Sequence, residues 1–275
     1  MIATLRGTRG SLGRAGDSTV RYGGDTSSIQ VTGSRGSILV LDAGSGASRV
    51  QIPPGTERVD ILLTHLHMDH IQGMGFFPPL FDPAIECHVW GPVSTTQTLH
   101  QRLSRYMSPP LFPVRLRDLP GLHVHDVHPG AFEIGEFTIH ADLVCHPGPT
   151  LGFRLEDSGE ALSYLPDHEP ALGERSFPGD PAWTSGFGLA EGARVLIHDT
   201  QYTDDEYGAR VGWGHSTMRQ AIAFGEMAGV GTLVTFHHDP EHSDEWLDRR
   251  AEKAVAALSP HAAVIAGLAD VEIEI

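Results

Sequence analysis

The chain has 275 residues, with 19 Lys and Arg against 35 Asp and Glu, a formal charge of −16 with histidine neutral. That balance lacks the basic footprint of a duplex-binding module. Two cysteines, Cys87 and Cys145, exclude a disulfide scaffold, and no run of roughly 18 apolar residues is present to span a membrane. The expectation is a globular chain large enough for a sizeable core, whose 17 histidines are the compositional surplus to be explained.

In chain order, Met1 to Arg6 lacks the apolar run of a signal peptide. With so few cysteines the expected compartment is the cytoplasm. Ser28–Thr32 and Ser37–Leu41 read as strands around the Gly33–Gly36 turn. Val59–Leu63 is an apolar run ending at Thr64, and Ile85–Trp90 is another, closed by Gly91 and Pro92. Ala131–Ile134 and Phe137–Val144 flank Gly135 as in a hairpin; Leu151–Leu155 and Ala161–Leu165 flank Asp157-Ser158-Gly159-Glu160 in the same way. Val195–Ile197, Thr232–Phe236 and Ala263–Ile265 are runs of strand length. Three stretches read as helices: Val93–Tyr106, Thr217–Ala228 with Ser216 as its cap and Gly229 at its end, and Asp244–Leu258 with acidic residues first and basic residues later. Pro109 to Pro129 is turn-rich and reads as a surface excursion. Hairpins followed by helix–strand alternation imply two sheets with outer helices in a single domain over 1–275, with residues 76–129 as an insertion inside it.

The most informative stretch is Thr64-His65-Leu66-His67-Met68-Asp69-His70. Three imidazoles and a carboxylate fall within six residues, where a strand gives way to a loop. Neutral imidazole and carboxylate suit zinc and neighbouring divalent ions, and burying such groups without a partner is costly. A solvated histidine-rich loop is the alternative, which the H-x-H-x-D-H spacing disfavours.

This spacing after an apolar strand resembles the signature of the metallo-β-lactamase fold superfamily. Asp42, in Leu39-Val40-Leu41-Asp42-Ala43-Gly44, resembles its structural aspartate. The resemblance implies an α/β fold, an αββα four-layer sandwich with two central mixed β-sheets and outer helices. It also implies a dinuclear centre: one divalent ion on His65, His67 and His146, a second on Asp69, His70 and His237, and Asp167 bridging them together with a hydroxide. Zinc is the expected metal, with manganese or iron(II) as alternatives. Asp69 sits beside the implied water as a proton acceptor. His237 and His238 compete for the last ligand position, and His237 is favoured because it directly follows the strand run.

The second half resembles the ribonuclease Z and cyclic-phosphodiesterase branch, through Leu196-Ile197-His198-Asp199-Thr200 and Gly214-His215-Ser216-Thr217. By that resemblance His215 donates a proton to the leaving oxygen and Asp199 orients it, which makes chemical sense because an alkoxide needs an acid. The N-terminal Arg6-Gly7-Thr8-Arg9-Gly10-Ser11 and Arg21-Tyr22-Gly23-Gly24 are implied to run along the rim of the site, where Arg6, Arg9, Arg14 or Arg21 could meet a phosphate. The expected substrate is a small or cyclic phosphodiester. The absence of a lysine-rich exosite arm and the charge of −16 argue against tRNA or duplex nucleic acid, and membrane association is not expected. A homodimer is common in the branch. Hydrolysis of a lactone, thioester or other acyl bond would use the same ions, and a non-catalytic metal-binding signalling module is a further alternative. His123, His125 and His128 cluster with spacings compatible with a surface metal site, but read as solvated or locally bonded. His168, His238 and His242 lie near the implied ligands and read as groups that orient them.

Overall fold

The computed structural model describes residues 1–170, 172 and 180–275. The first half of the chain forms β1 (Ile2–Gly7), β2 (Ser28–Thr32), β3 (Ile38–Leu41), β4 (Arg58–Leu62), β5 (Glu86–Pro92) and β6 (Leu122–Val127). The second half forms β7 (Gly130–Ile134), β8 (Phe137–Leu143), β9 (Leu151–Asp157), β10 (Glu160–Leu165), β11 (Val195–Asp199), β12 (Thr232–Phe236), β13 (Ala263–Ala266) and β14 (Glu272–Glu274). They assemble into two seven-stranded sheets, ordered β14-β1-β2-β3-β4-β5-β6 and β13-β12-β11-β10-β9-β8-β7. In each sheet an antiparallel half gives way to a parallel half, starting at β3–β4 in one and β10–β11 in the other. The turn at Ser158 and Gly159, both at positive φ (57° and 86°), joins β9 to β10 as a two-residue hairpin loop requires.

The helices are α1 (Met68–Ile71), α2 (Leu99–Tyr106), α3 (Phe187–Ala190), α4 (Asp204–Tyr207), α5 (Met218–Ala228) and α6 (Asp244–Leu258), of which α2, α3, α5 and α6 pack on the sheets. The layers follow from three apolar clusters. Leu5, Val31, Leu41, Phe137, Phe153, Tyr164 and Phe236 fill the space between the sheets. Val40, Ile61, Phe77, Val89, Leu103 and Phe112 pack α2 and the flanking loops onto the first sheet, to which residues 76–129 themselves contribute β5 and β6. Leu165, Leu196, Met218, Phe224 and Leu233 pack α3 and α5 onto the second. This is the αββα sandwich implied by the sequence. Truncating a fully buried ring such as Phe153 would cost about 3–5 kcal/mol. No helix among the described residues is long and apolar enough to cross a membrane.

Three local expectations need correction. The helix expected over Val93–Tyr106 begins only at Leu99, because Thr98 caps it and exchanges a reciprocal pair of bonds with Gln101. The cap of α5 is Thr217 with Gln220, not Ser216; the Ser216 hydroxyl donates instead to the His168 carbonyl at 2.5 Å. The stretch from Pro109 to Pro129 is not simply a surface excursion. Phe112, Leu116 and Leu119 are buried in the outer core, and Leu122–Val127 is the edge strand β6.

Candidate metal centre

The proposed site residues converge at the ends of strands. His65, His67, Asp69 and His70 follow β4 directly, His146 follows β8, Asp167 follows β10, Asp199 ends β11 and His237 follows β12. The parallel strands β4, β10, β11 and β12 thus present their C-terminal ends to one place, where α/β sheets commonly bind ligands.

Two groups of donors result, and within each the candidate ligand atoms lie within 4.8 Å of one another: His65, His67, His146 and Asp167, and Asp69, His70, Asp167 and His237. Asp167 belongs to both. Its Oδ2 lies 3.7 Å from His65 Nε2 and 3.8 Å from His146 Nε2; its Oδ1 lies 3.0 Å from His70 Nε2 and 3.1 Å from His237 Nε2. Despite these distances, Asp167 Oδ1 and His65 Nε2 are buried without a hydrogen bond among the described residues. Each such orphan costs about 1–3 kcal/mol. The atoms point at shared space rather than at each other, and donors of this kind fit divalent metal ions.

The outward nitrogens of four of the five rings are engaged, while His67 turns Nδ1 towards His146 Nε2 at 3.3 Å. His70 Nδ1 donates to Asp42 at 2.8 Å, His146 Nδ1 to the Gly214 carbonyl at 3.0 Å and His237 Nδ1 to Gln201 Oε1 at 3.1 Å, while His65 Nδ1 is hydrogen-bonded to Thr64 Oγ1 at 3.1 Å. Four rings are therefore held with Nε2 inward, as metal-binding histidines usually are. Asp42 and His237 adopt positive φ (57° and 56°), a region that non-glycine residues rarely occupy. Glycine is required where backbone approaches the rings. A Cβ at Gly10 would sit 2.3 Å from His237 Nδ1, and one at Gly214 2.2 Å from His146 Nδ1.

Electrostatics divide the two groups. Burial pushes His65, His67 and His146 down, so these rings are neutral, the form that binds metal. Burial also opposes charge on His70 and His237, but Asp167, with Asp42 or Asp69 and Asp199, raises both above the ordinary value. Asp167 shows the converse: burial disfavours its charge, yet His237, His70 and His65 hold it well below the usual carboxylate range. The carboxylates thus call for positive charge at this point.

Beside the centre, His215 Nδ1 donates to Asp199 Oδ2 at 2.7 Å. The His215 ring stacks on His237 with centroids 5.0 Å apart and meets His146 at 5.2 Å. Asp199 Oδ1 is fixed by the amides of Gln201 (2.9 Å) and Ser216 (3.1 Å). His237, not His238, turns to the centre; His238 packs against the Tyr22 ring. The N-terminal segment does border the site, since the Ser11 amide donates to Asp69 Oδ2 at 2.7 Å. Its arginines are committed elsewhere. Arg6 is bonded to Gln30 and Asp270, Arg9 to Gly23, Asp239, His242 and Asp244, Arg14 to Glu241 and Arg21 to Asp248.

Arg102 and Arg105 border open space beside the centre, although Arg102 also bonds the Pro92 carbonyl and pairs with Asp126, and Arg105 bonds Gln97 Oε1. A cavity of about 600 Å³ opens beside His65 and His67, walled by Met68, Arg102, Arg105, Tyr106, Leu111 and Pro149. Helix α2 thus supplies charge and apolar surface to one wall. Glu169 is a second group that sequence reasoning overlooked. It is fully buried and accepts from Tyr207 Oη (2.5 Å) and from the amides of Gly212 (3.0 Å) and Gly214 (3.0 Å). It thereby ties down the loop that carries the Gly214 carbonyl to His146 and leads into His215.

With that geometry in view, comparison with known proteins is informative. A family model described as beta-lactamase superfamily domain matches residues 38–238. A ribonuclease Z of Myxococcus xanthus is 28% identical over 250 residues, covering 76% of this chain and 80% of its own length. Human tRNase Z, short form, superposes with a TM-score of 0.67 at 20% identity, over 100% of this chain and 99% of its own. A diphosphatase from the PhnP family gives 0.68 at 18%, over 100% and 97%. The solved structures speak to the fold alone. The relative named ribonuclease Z overturns the expectation against tRNA. The physical error was to read a local field from a total. The charge of −16 belongs to the whole surface, whereas Arg102 and Arg105 line the cavity beside the centre, and the local potential there decides anion binding. The chain belongs to the beta-lactamase superfamily, in the metallo-β-lactamase branch that includes ribonuclease Z.

Proposed function

We propose that this protein is a metal-dependent phosphodiesterase with a dinuclear centre. His65, His67 and His146 would hold one ion, Asp69, His70 and His237 the other, and Asp167 both. Zinc suits this mixture of imidazole and carboxylate best. Bound there, two divalent ions would lower the pKa of a shared water and offset charge on a phosphoryl oxygen. The chain's own groups do the rest. Asp69, which burial opposes but His70 and His237 keep ionised, is placed to accept a proton. His215, oriented through Nδ1 by Asp199, retains Nε2 as the atom that donates a proton to the departing oxygen. The 2.7 Å Asp199–His215 bond beside the donor cluster supports a hydrolase that expels an alkoxide, which needs an acid, and the relative named ribonuclease Z favours a phosphodiester over an acyl bond. Precursor tRNA stands beside small phosphodiesters among the candidate substrates. The free thiols Cys87 and Cys145 suit a reducing compartment, and we assign the cytoplasm.

The test is to count bound metal and to assay bis-p-nitrophenyl phosphate, a precursor tRNA with a 3′ trailer, a lactone and a β-lactam side by side. Turnover of the diesters with two metals per chain is expected; turnover of the acyl substrates alone would sink the proposal. His215→Ala should retain its metal and lose about 10²–10⁴-fold in rate on diesters with poor leaving groups, with much smaller losses on p-nitrophenyl esters. Loss of metal in that variant would make His215 a ligand instead.

A further inference from the structure

Strands β5 and β6 run parallel, and their register sets His88 opposite His123 and Trp90 opposite His125. Alternation along β5 puts Glu86 on the same face as His88. A nitrogen of His88, a nitrogen of His123 and a carboxylate oxygen of Glu86 lie within 4.8 Å of one another. The surroundings prepare this cluster for a cation. His88 Nδ1 is hydrogen-bonded to His125 Nε2 at 2.9 Å, and His125 is clamped in turn by the Trp90 ring at 3.9 Å. The tautomer in which His88 Nδ1 donates leaves a lone pair on Nε2. That atom is buried and has no hydrogen-bond partner among the described residues; Glu86 Oε2, at 3.8 Å, is beyond hydrogen-bonding range. The His88 and His123 rings stack with centroids 4.6 Å apart. Burial and Arg58 hold His88 below its ordinary value, which favours the neutral ring that a metal needs.

We propose that Glu86, His88 and His123 form a second transition-metal site, with His125 orienting His88. Two imidazoles and a carboxylate select zinc, copper(II) or nickel(II) over magnesium or calcium, and waters would complete the coordination. The acidic surface adds a general attraction for cations. Glu86 and His88 pair with Arg58 and Asp60 at the start of β4, whereas His65 follows its end. At about 3.3 Å per residue the two sites are therefore roughly 15–20 Å apart. The histidines at 123 and 125 thus serve a site that two residues of a different strand complete, and His128 takes no part.

The metal alone is the probe. Full-length protein with its main centre filled by zinc is titrated calorimetrically with further zinc, and bound metal is counted by mass spectrometry. Wild type should take up one additional equivalent per chain. His88→Ala and His123→Ala should lose it, and His125→Ala should bind it roughly 10–100-fold more weakly. His128→Ala should keep it, and bis-p-nitrophenyl phosphate turnover should be unchanged in all four. His123 is exposed, so its variant tests the site even if His88→Ala folds poorly. Because the readout is the difference between wild type and variant, it holds whatever the stoichiometry of the main centre. An additional equivalent that is missing in wild type, or that survives both alanine substitutions, would falsify the site.

Discussion

At the scale of single residues, the centre depends on groups that never reach its interior. Asp42 receives the Thr64 amide at 2.7 Å, the Tyr164 hydroxyl at 2.9 Å and His70 Nδ1 at 2.8 Å. Asn at this position keeps the positive φ within reach but replaces an oxygen acceptor with a donor. Asp42→Asn should therefore weaken zinc binding roughly 10–100-fold in competition with a chelator, and unchanged affinity would show that His70 needs no such partner. Glu169 acts on the other side. Both its oxygens accept, so Glu169→Gln must turn an NH₂ group towards a donor. Losing one such charged bond, about 1.5–3 kcal/mol, should lower kcat at least ten-fold with little change in KM. The loss should be steeper for poor leaving groups, as in His215→Ala, if the loop before His215 is what Glu169 positions; equal losses for all leaving groups would assign it a merely structural part. The donors His65 to His70 were legible because metal chemistry restricts residue type and spacing. Glu169 was not, because its partners are a tyrosine and two glycine amides 38–45 positions away, and neither type advertises itself in a sequence.

At the scale of elements, apolar runs were the reliable signal. The strands that fill the space between the sheets, such as Thr232–Phe236, are nearly all apolar or β-branched and stood out. Strands β1, β6 and β14 did not. In β6 three polar residues alternate with Leu122 and two valines at an edge, and β14 has three residues, two of them glutamate. Their pairing comes from distant partners, Ile2 with Glu274 for example, which no local pattern encodes. Helix α2 shows how a cap, rather than a chain break, sets where a helix begins. The Gly91-Pro92 break suggests a start at Val93, but the backbone turns helical only after Thr98, whose hydroxyl accepts from the Gln101 amide. Thr98→Ala should cost about 1 kcal/mol, read as a lower urea midpoint at unchanged slope. Because α2 carries Arg102 and Arg105 into the cavity wall, the same variant should raise KM for an anionic diester. A stability loss without any change in KM would mean that the outer core, through Leu99 and Leu103, holds the helix in place unaided.

At the scale of the whole molecule, the charge of −16 and the arginine-lined cavity oppose each other, and ionic strength separates them. An anionic substrate meets the repulsion of the entire surface over distances comparable with the Debye length, which shrinks from about 30 Å at 0.01 M to about 8 Å at 0.15 M. The attraction of Arg102 and Arg105 acts at close range and is partly shielded from solvent, since the Arg102 side chain is 14% exposed, so salt weakens it less. Raising the salt over that interval should therefore increase kcat/KM for bis-p-nitrophenyl phosphate, measured well below saturation, by removing more repulsion than attraction. Arg102→Gln should lower kcat/KM at both salts and enlarge the salt-induced rise, because Arg105 alone is left to offset the repulsion that salt screens. For precursor tRNA the balance shifts, since each phosphate held by a cationic side chain releases counterions and makes binding fall with salt. A rise for the small diester beside a fall for tRNA would locate tRNA contacts in the cationic groups near the cavity. A fall for both would mean that the local field outweighs the total charge even at long range.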